Sequence, residues 1–151
     1  MANGLPIERP ARLEHVPDSF QWLVPKNVMN LISTRIHGIL DYGSALLIAA
    51  SPWLFGFGGY SAQTWPLIAA GMLILGLSLV TDYEFGLVKA VSVTTHLRMD
   101  IMLGVLLAIS PWLLQFADNI FWPHITFGAL EIGAGLLTQK EPAYAKTKTM
   151  S

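Results

Sequence analysis

Long apolar stretches divide the chain into four candidate helices. They run over residues 36–57, 65–80, 95–116 and 122–137, and charged side chains are concentrated outside them. At about 1.5 Å per residue these stretches are roughly 24 to 33 Å long, which matches a hydrocarbon core of about 30 Å. A helix in a soluble bundle needs a polar face, whereas residues 67–80 have only Ser78 as a polar side chain. The pattern predicts an all-α membrane protein with four transmembrane helices.

Composition strengthens this prediction and excludes several classes of protein. The chain is 53% hydrophobic and 13% charged, with a mean hydropathy of +0.51, which is too apolar for an ordinary soluble domain. A net charge of -1 gives no basic footprint for nucleic acid. The absence of cysteine excludes disulfides, thiolate metal sites and iron-sulfur clusters.

Positive charges fall on one side of the predicted helices. They lie before helix 1, between helices 2 and 3, just inside helix 3 and after helix 4: Arg9, Arg12, Lys26, Arg35, Lys89, Arg98, Lys140, Lys146 and Lys148. The opposite loops, residues 58–64 and 117–121, contain no Lys or Arg. The positive-inside rule therefore predicts that both termini are cytoplasmic and that, in a bacterium, the protein lies in the inner membrane.

The second half of the chain repeats the first. A shift of 59 residues gives nine identities over the 21 positions 37–57, and a shift of 57 residues aligns residues 65–81 with 122–138. We therefore predict a cytoplasmic N-terminal segment (1–35), a two-helix repeat (36–81), a cytoplasmic loop (82–94), a second repeat (95–138) and a cytoplasmic tail (139–151). Both repeats have the same orientation, so their pseudo-two-fold axis runs along the membrane normal, unlike that of inverted-repeat transporters.

A tripeptide occurs at the same place in each repeat, as Ser51-Pro52-Trp53 and Ser110-Pro111-Trp112. With the duplicated hairpin, it resembles the SPW-repeat family of small bacterial integral membrane proteins. The resemblance covers residues 37–81 and 96–138, and it implies an architecture but no set of catalytic residues.

Backbone chemistry explains the tripeptide without a ligand. Proline removes a helix donor, and the preceding serine can satisfy the carbonyl that is left free. Trp53 and Trp112, with Trp65 and Trp122 at the start of the return helices, are expected to mark the non-cytoplasmic rim of the membrane.

Two His-Asp pairs are the strongest candidates for chemistry. His37 and Asp41, like His96 and Asp100, are four residues apart and share a helix face. We favour a hydrogen bond within each pair, with both pairs facing the interior and stabilising the bundle without a cofactor. One alternative is a haem held by His37 and His96, for which Gly38 but not its equivalent Leu97 would make room. The other is a divalent metal site of two His and two Asp, suited to zinc or iron.

Glu131 interrupts the repeat, because its equivalent is Ile74. Near the membrane midplane it could join the His-Asp pairs in a proton relay. We favour instead a protonated carboxyl group that hydrogen-bonds a neighbour or pairs with a snorkelling Arg98.

Small residues and the lack of catalytic motifs complete the functional prediction. Residues that permit close helix contact are Gly71, Gly76, Ser78, Gly128, Gly133 and Gly135. The segment 20–26 is either an interfacial anchor or a hydrophobic linker. We expect a non-enzymatic structural or accessory component that contacts the lipid bilayer and other membrane subunits or itself. The alternative is a small proton-coupled transporter.

Overall fold

The computed structural model describes residues 31–142 and forms an all-α fold. Its helices are α1 (Thr34–Leu54), α2 (Ser61–Val80), α3 (Val93–Leu113) and α4 (Trp122–Leu137). The main packing is α1 on α2 and α3 on α4, which confirms two helical hairpins. Two segments, Ala62–Val80 and Val93–Leu113, are long and apolar enough to cross a membrane. The predicted interfacial segment 20–26 lies outside the described residues.

The two hairpins meet at the end where α1 and α3 begin, which we call the threonine end because Thr81 and Thr138 terminate α2 and α4 there. Backbone bridges join Ile32 to Thr138 and Thr81 to Val91. Since Ile32 and Val91 are 59 residues apart, each hairpin meets the other in the same way. The sequence repeat is therefore visible as a pseudo-two-fold arrangement.

The opposite end, called the motif end, is where the Ser-Pro-Trp tripeptides terminate α1 and α3. The helices were predicted to reach Phe57 and Phe116, but they end at Leu54 and Leu113. In each case the chain turns back in a Schellman motif, as shown by Phe57 N donating to Pro52 O (2.8 Å) and Phe116 N donating to Pro111 O (2.8 Å). The left-handed residue that this turn requires is Gly56 in the first repeat (φ 78°) and a glutamine, Gln115, in the second (φ 60°).

The start of α2 also differs from the prediction. The helix begins at Ser61 instead of Trp65, so Pro66 lies inside it. Gln63 N and Thr64 N donate to the carbonyl of Tyr60, and the Thr64 hydroxyl donates to Phe57 O. These bonds extend the helix into the predicted loop. In α4, by contrast, the equivalent proline occupies the first turn as expected.

Glycines bring the helices of each hairpin into close contact. A Cβ atom on Gly128 would lie 2.5 Å from Gly104 O, and one on Gly71 would lie 2.5 Å from Ala45 O. The predicted role in close packing is confirmed at these positions. Gly76 and Gly133 differ, because a Cβ on either would meet no atom of residues 31–142 within 4 Å.

The interior between the two ends is an apolar layer. It consists of Ala45, Ile48, Phe57, Leu67, Ala70, Ile74, Leu107 and Phe127. Buried polar side chains lie on both sides of it, near the threonine end and near the motif end. The polar groups of the bundle are thus divided into two separate sets.

Candidate functional site

The two His-Asp pairs converge into one buried cluster near the threonine end. His37 Nε2 lies 3.3 Å from Asp41 Oδ1 and 3.2 Å from Asp100 Oδ2, and His96 Nε2 lies 3.0 Å from Asp41 Oδ2 and 3.1 Å from Asp100 Oδ2. The side chains are 0 to 3% exposed. Their predicted position in the interior of the bundle is confirmed.

The contacts cross between the repeats, which the prediction of a bond within each pair missed. Each imidazole touches the aspartate of its own helix and the aspartate of the other repeat at nearly equal distances. The rings of His37 and His96 meet edge to face, with centroids 5.3 Å apart. The cluster is therefore one unit shared by α1 and α3.

Threonines at the ends of α2 and α4 contact Nδ1 of each imidazole, the ring nitrogen that does not face the carboxylates. Thr81 Oγ1 lies 2.7 Å from His96 Nδ1, and Thr138 Oγ1 lies 3.0 Å from His37 Nδ1. Each hydroxyl donates its proton to a carbonyl of its own helix, Leu77 O or Ala134 O. Both threonines were visible in the sequence as repeat equivalents, but nothing in their spacing showed that they faced the histidines.

The second repeat lacks one contact that the first has. Ser78 Oγ donates to Asp41 Oδ2 at 3.0 Å, whereas the position equivalent to Ser78 is Gly135. Neither oxygen of Asp100 has a hydrogen-bond partner among the described residues. The two carboxylates therefore have different surroundings in an otherwise symmetric cluster.

Tyr83 covers the cluster from the loop between the hairpins. Its ring packs directly on the Cα of Gly38, where a Cβ would collide with it, and its centroid lies 5.9 Å from that of His96. Burial of the phenol, together with the negative charge of Asp41, raises the pKa of Tyr83 above its usual value. The space that Gly38 leaves is thus occupied by a side chain of the same protein.

This packing counts against the haem interpretation. Axial ligation by two histidines needs the rings on opposite sides of a porphyrin. Here both Nε2 atoms point into the same space as two carboxylates, and the rings are in van der Waals contact. Tyr83 fills the room that Gly38 would have provided. The geometry leaves no space for the porphyrin.

Glu131 lies beside the cluster but outside it. It is buried on α4, close to the Ser44 side chain. Arg98 is exposed and lines a shallow pocket of about 150 Å³ with Lys140 on the outer side of α3 and α4. No ion pair joins Glu131 to Arg98 within residues 31–142, and the hydrogen bond from a protonated Glu131 to a neighbour stays a prediction.

A smaller polar group near the motif end was not predicted as a site. His124 is fully buried, its Nε2 donates to the backbone carbonyl of Gln63 at 2.9 Å, and the ring of Phe116 packs against it at 4.9 Å. The apolar layer separates this histidine from the cluster. Its bond joins α4 to α2 and so connects the hairpins at that end.

The Ser-Pro-Trp tripeptides act on the backbone, as predicted. Pro52 cannot donate to Ile48 O, and the Ser51 hydroxyl donates to that carbonyl at 2.7 Å. The Ser110 hydroxyl does the same for Leu107 O at 2.7 Å. Trp53 and Trp112 are 61% and 57% exposed on the outside of the bundle.

Comparison with known proteins agrees with this repeat geometry. Residues 35–138 match the model of the SPW repeat domain. No curated protein and no solved structure matches the chain. Because the match spans both hairpins and more than half of the chain, this protein belongs to the SPW repeat family.

Proposed function

We propose that this chain is a non-enzymatic integral membrane protein that serves as a structural or accessory component of a membrane complex. In this proposal all four helices span the inner membrane of a bacterium, with both termini in the cytoplasm. One observation carries it: polar side chains such as His37, Asp41 and Glu131 are buried inside the bundle, whereas many large apolar side chains are exposed on its outside.

The exterior is apolar on each of the four helices. Leu46, Leu73, Leu113 and Leu130, one from each helix, are 58 to 67% exposed. Extended apolar surface of this kind is unfavourable in water and suits hydrocarbon. It supports membrane placement of α1 and α4 as well, since His37 and Asp41 on α1 are buried, the exposed Arg35 lies in the first turn of that helix, and the 16 residues of α4 span about 24 Å.

The apolar layer favours a structural role over proton transfer. A relay through the bundle would need hydrogen-bonding groups or water along its length. Between Glu131 and the buried polar side chains of the motif end, the apolar layer contains Ile48, Leu67 and Phe127, which offer neither. Glu131 remains the basis of the alternative, a small proton-coupled transporter, because it lies close to Asp100 and Asp41.

Two repeat-equivalent glycines offer a surface for a partner. Gly76 and Gly133 face open space on the outside of the two hairpins. Gly76 also lines an apolar groove of about 370 Å³ between α2 and α3, together with Met72, Met99 and Met102. Small residues allow membrane helices to approach closely, and methionine adapts to differently shaped partners. This supports association with other membrane subunits or with a second copy of the chain.

Mild solubilisation followed by native mass spectrometry tests the proposal. We expect the wild-type chain to be recovered with a membrane protein partner or as an oligomer, and Gly76→Leu with Gly133→Leu to release it. Gly43→Leu is the matched control, because Gly43 also faces open space but lies on α1. A purely monomeric, partner-free wild-type chain contradicts the proposal.

A transport assay distinguishes the proposed structural role from the alternative, a small proton-coupled transporter. Proteoliposomes that contain a pH-sensitive dye should show no proton flux above protein-free vesicles. Flux that Glu131→Gln abolishes would establish the transporter instead.

A further inference from the structure

We infer that His37, Asp41, His96 and Asp100 form a buried binding site for a divalent transition metal, with Zn²⁺ as the cation that the four ligands fit best. The inference is independent of the proposed role in a complex, because the site lies wholly inside one chain. Three features of the cluster lead to it: the positions of the imidazole protons, the geometry of the four side chains and their charge.

The threonines determine which nitrogen of each ring carries a proton. A hydroxyl group has a single proton, and those of Thr81 and Thr138 are donated to Leu77 O and Ala134 O. The hydroxyl oxygens must therefore accept from Nδ1–H of His96 and His37. In a neutral imidazole this leaves Nε2 as a lone-pair donor. A metal-bound histidine has the same arrangement, with its other nitrogen hydrogen-bonded outside the metal site.

Both lone pairs face the space between the two carboxylate groups. An unprotonated Nε2 and a carboxylate oxygen are both hydrogen-bond acceptors, and at 3.0 to 3.3 Å they repel each other unless a proton or a metal cation lies between them. Neither Nε2 atom has a well-aligned hydrogen-bond partner among the described residues. The nitrogens therefore aim between the oxygens and not at any one of them.

The spacing suits a tetrahedral metal ion. Bonds of about 2.0 Å from zinc to nitrogen and oxygen place neighbouring ligand atoms about 3.3 Å apart. The nitrogen-to-oxygen distances are 3.2 and 3.1 Å to Oδ2 of Asp100, and 3.3 and 3.0 Å to Oδ1 and Oδ2 of Asp41. One ligand atom from each of the four residues lies within 4.8 Å of the others. Two nitrogens and two oxygens are a donor set that zinc accepts.

The net charge of the site also favours a divalent cation. With both imidazoles neutral, as metal ligands are, the two carboxylates leave two negative charges in a site that is almost completely buried. A divalent cation brings the total to zero, which removes the large cost of burying unpaired charge. The unpartnered oxygens of Asp100 are available to the ion, whereas Asp41 is partly oriented by Ser78.

The site would also connect the repeats. Each hairpin supplies one histidine, one aspartate and one threonine, and the direct packing between the hairpins is much less extensive than that within them. Because metal binding adds its free energy to the folded state, a bound ion would hold α1 and α3 together.

The test uses the full-length chain, purified in detergent without a histidine tag. Elemental analysis should give about one zinc per chain, and stripping with a chelator followed by added Zn²⁺ should lower and then restore the melting temperature. Asp41→Asn with Asp100→Asn should abolish both effects. Glu131→Gln should retain them, because Glu131 is a buried carboxyl group outside the four ligands.

Two further measurements keep the inference testable if the double variant does not fold. Co²⁺ bound to the stripped wild-type chain should show the visible absorption of a tetrahedral site. Thr81→Val with Thr138→Val keeps all four ligands and should weaken Zn²⁺ binding by roughly 10- to 100-fold. Wild-type protein that binds neither ion, or aspartate and threonine variants that bind as well as wild type, would overturn the inference.

Discussion

His96 Nε2 lies 3.0 Å from Asp41 in the other repeat and 3.1 Å from Asp100 in its own helix. The contact across the repeats is thus as close as the one along the helix. His37 makes the matching pair of contacts, with Asp41 in its own helix and Asp100 in the other repeat. The polar side chains of each hairpin therefore have partners in both hairpins. The cluster therefore contributes to the association of the hairpins as well as to each helix.

Loss of one aspartate should destabilise the bundle strongly. Asp41→Ala or Asp100→Ala removes one of the two carboxylates that balance the inferred cation, and an uncompensated buried charge costs about 3 to 5 kcal/mol. We expect the melting temperature in detergent to fall by roughly 6 to 20 °C. Asp118→Ala, in the exposed loop between α3 and α4, is the matched control and should leave it unchanged. Equal melting temperatures for all three variants would contradict a stabilising cluster.

Glycine substitutions on α4 should separate packed from open positions. Gly128→Ala places a methyl group 2.5 Å from Gly104 O, so α3 and α4 must move apart. We expect a loss of stability of about 1 to 3 kcal/mol. The methyl group of Gly133→Ala meets no atom of the described part of the chain within 4 Å, so this variant should be neutral or stabilised by up to about 1 kcal/mol. Thermal unfolding of the two variants compares them directly, and a reversed order would refute the observed α3 and α4 contact.

The phenol of Tyr83 should lose its proton at a higher pH than an exposed tyrosine does. Its pKa is raised, chiefly by burial, so the folded protein keeps the proton at a pH where an exposed tyrosine has lost it. The stabilisation from this group is complete below the unfolded pKa of about 10 and is lost as the pH rises through the folded value. Tyrosinate absorbance during alkaline titration should show a late phase.

Tyr83→Phe and Tyr83→Ala distinguish the hydroxyl from the ring. Phenylalanine should remove the late phase but preserve stability, because the ring still covers Gly38 and His96. Alanine should cost about 3 to 5 kcal/mol, as expected for deletion of a large buried ring. A late phase that persists in Tyr83→Phe would assign it to another tyrosine.

Reporter fusions test the proposed topology. A fusion after Gly59 should report the non-cytoplasmic side, and one after Ser151 should report the cytoplasm, because Lys and Arg are absent from the loops at the motif end. Moving a pair of lysines into residues 58–60 should weaken this difference. Cytoplasmic signals from both fusion sites would refute a hairpin that spans the membrane.

The sequence predicts the four helices well because their apolar stretches and their duplication are strong signals. It misplaces the ends of α1 and α3, since the turn after each Ser-Pro-Trp tripeptide depends on backbone hydrogen bonds that hydropathy does not show. The start of α2 at Ser61 was missed for the same reason. Boundaries that depend on caps are harder to predict than the helices themselves.

For the cluster, sequence spacing identified the four residues but not their connections. The helical period places His37 over Asp41, whereas their contacts with His96 and Asp100 depend on how α1 packs against α3. A helical pattern could not identify Tyr83, because this residue lies in a loop. It reaches the cluster only because Gly38 lacks a side chain.

The pseudo-two-fold arrangement means that one hairpin contains half of the cluster. A chain with a single such hairpin would need to pair with an identical copy to bring two histidines and two aspartates together. Joining both copies in one polypeptide makes the pairing independent of protein concentration. It also allows the sequence of each repeat to change independently of the other. Ser78 opposite Gly135, Gly38 opposite Leu97 and Ile74 opposite Glu131 are such changes. They make the two sides of the cluster chemically distinct while its four central residues stay the same.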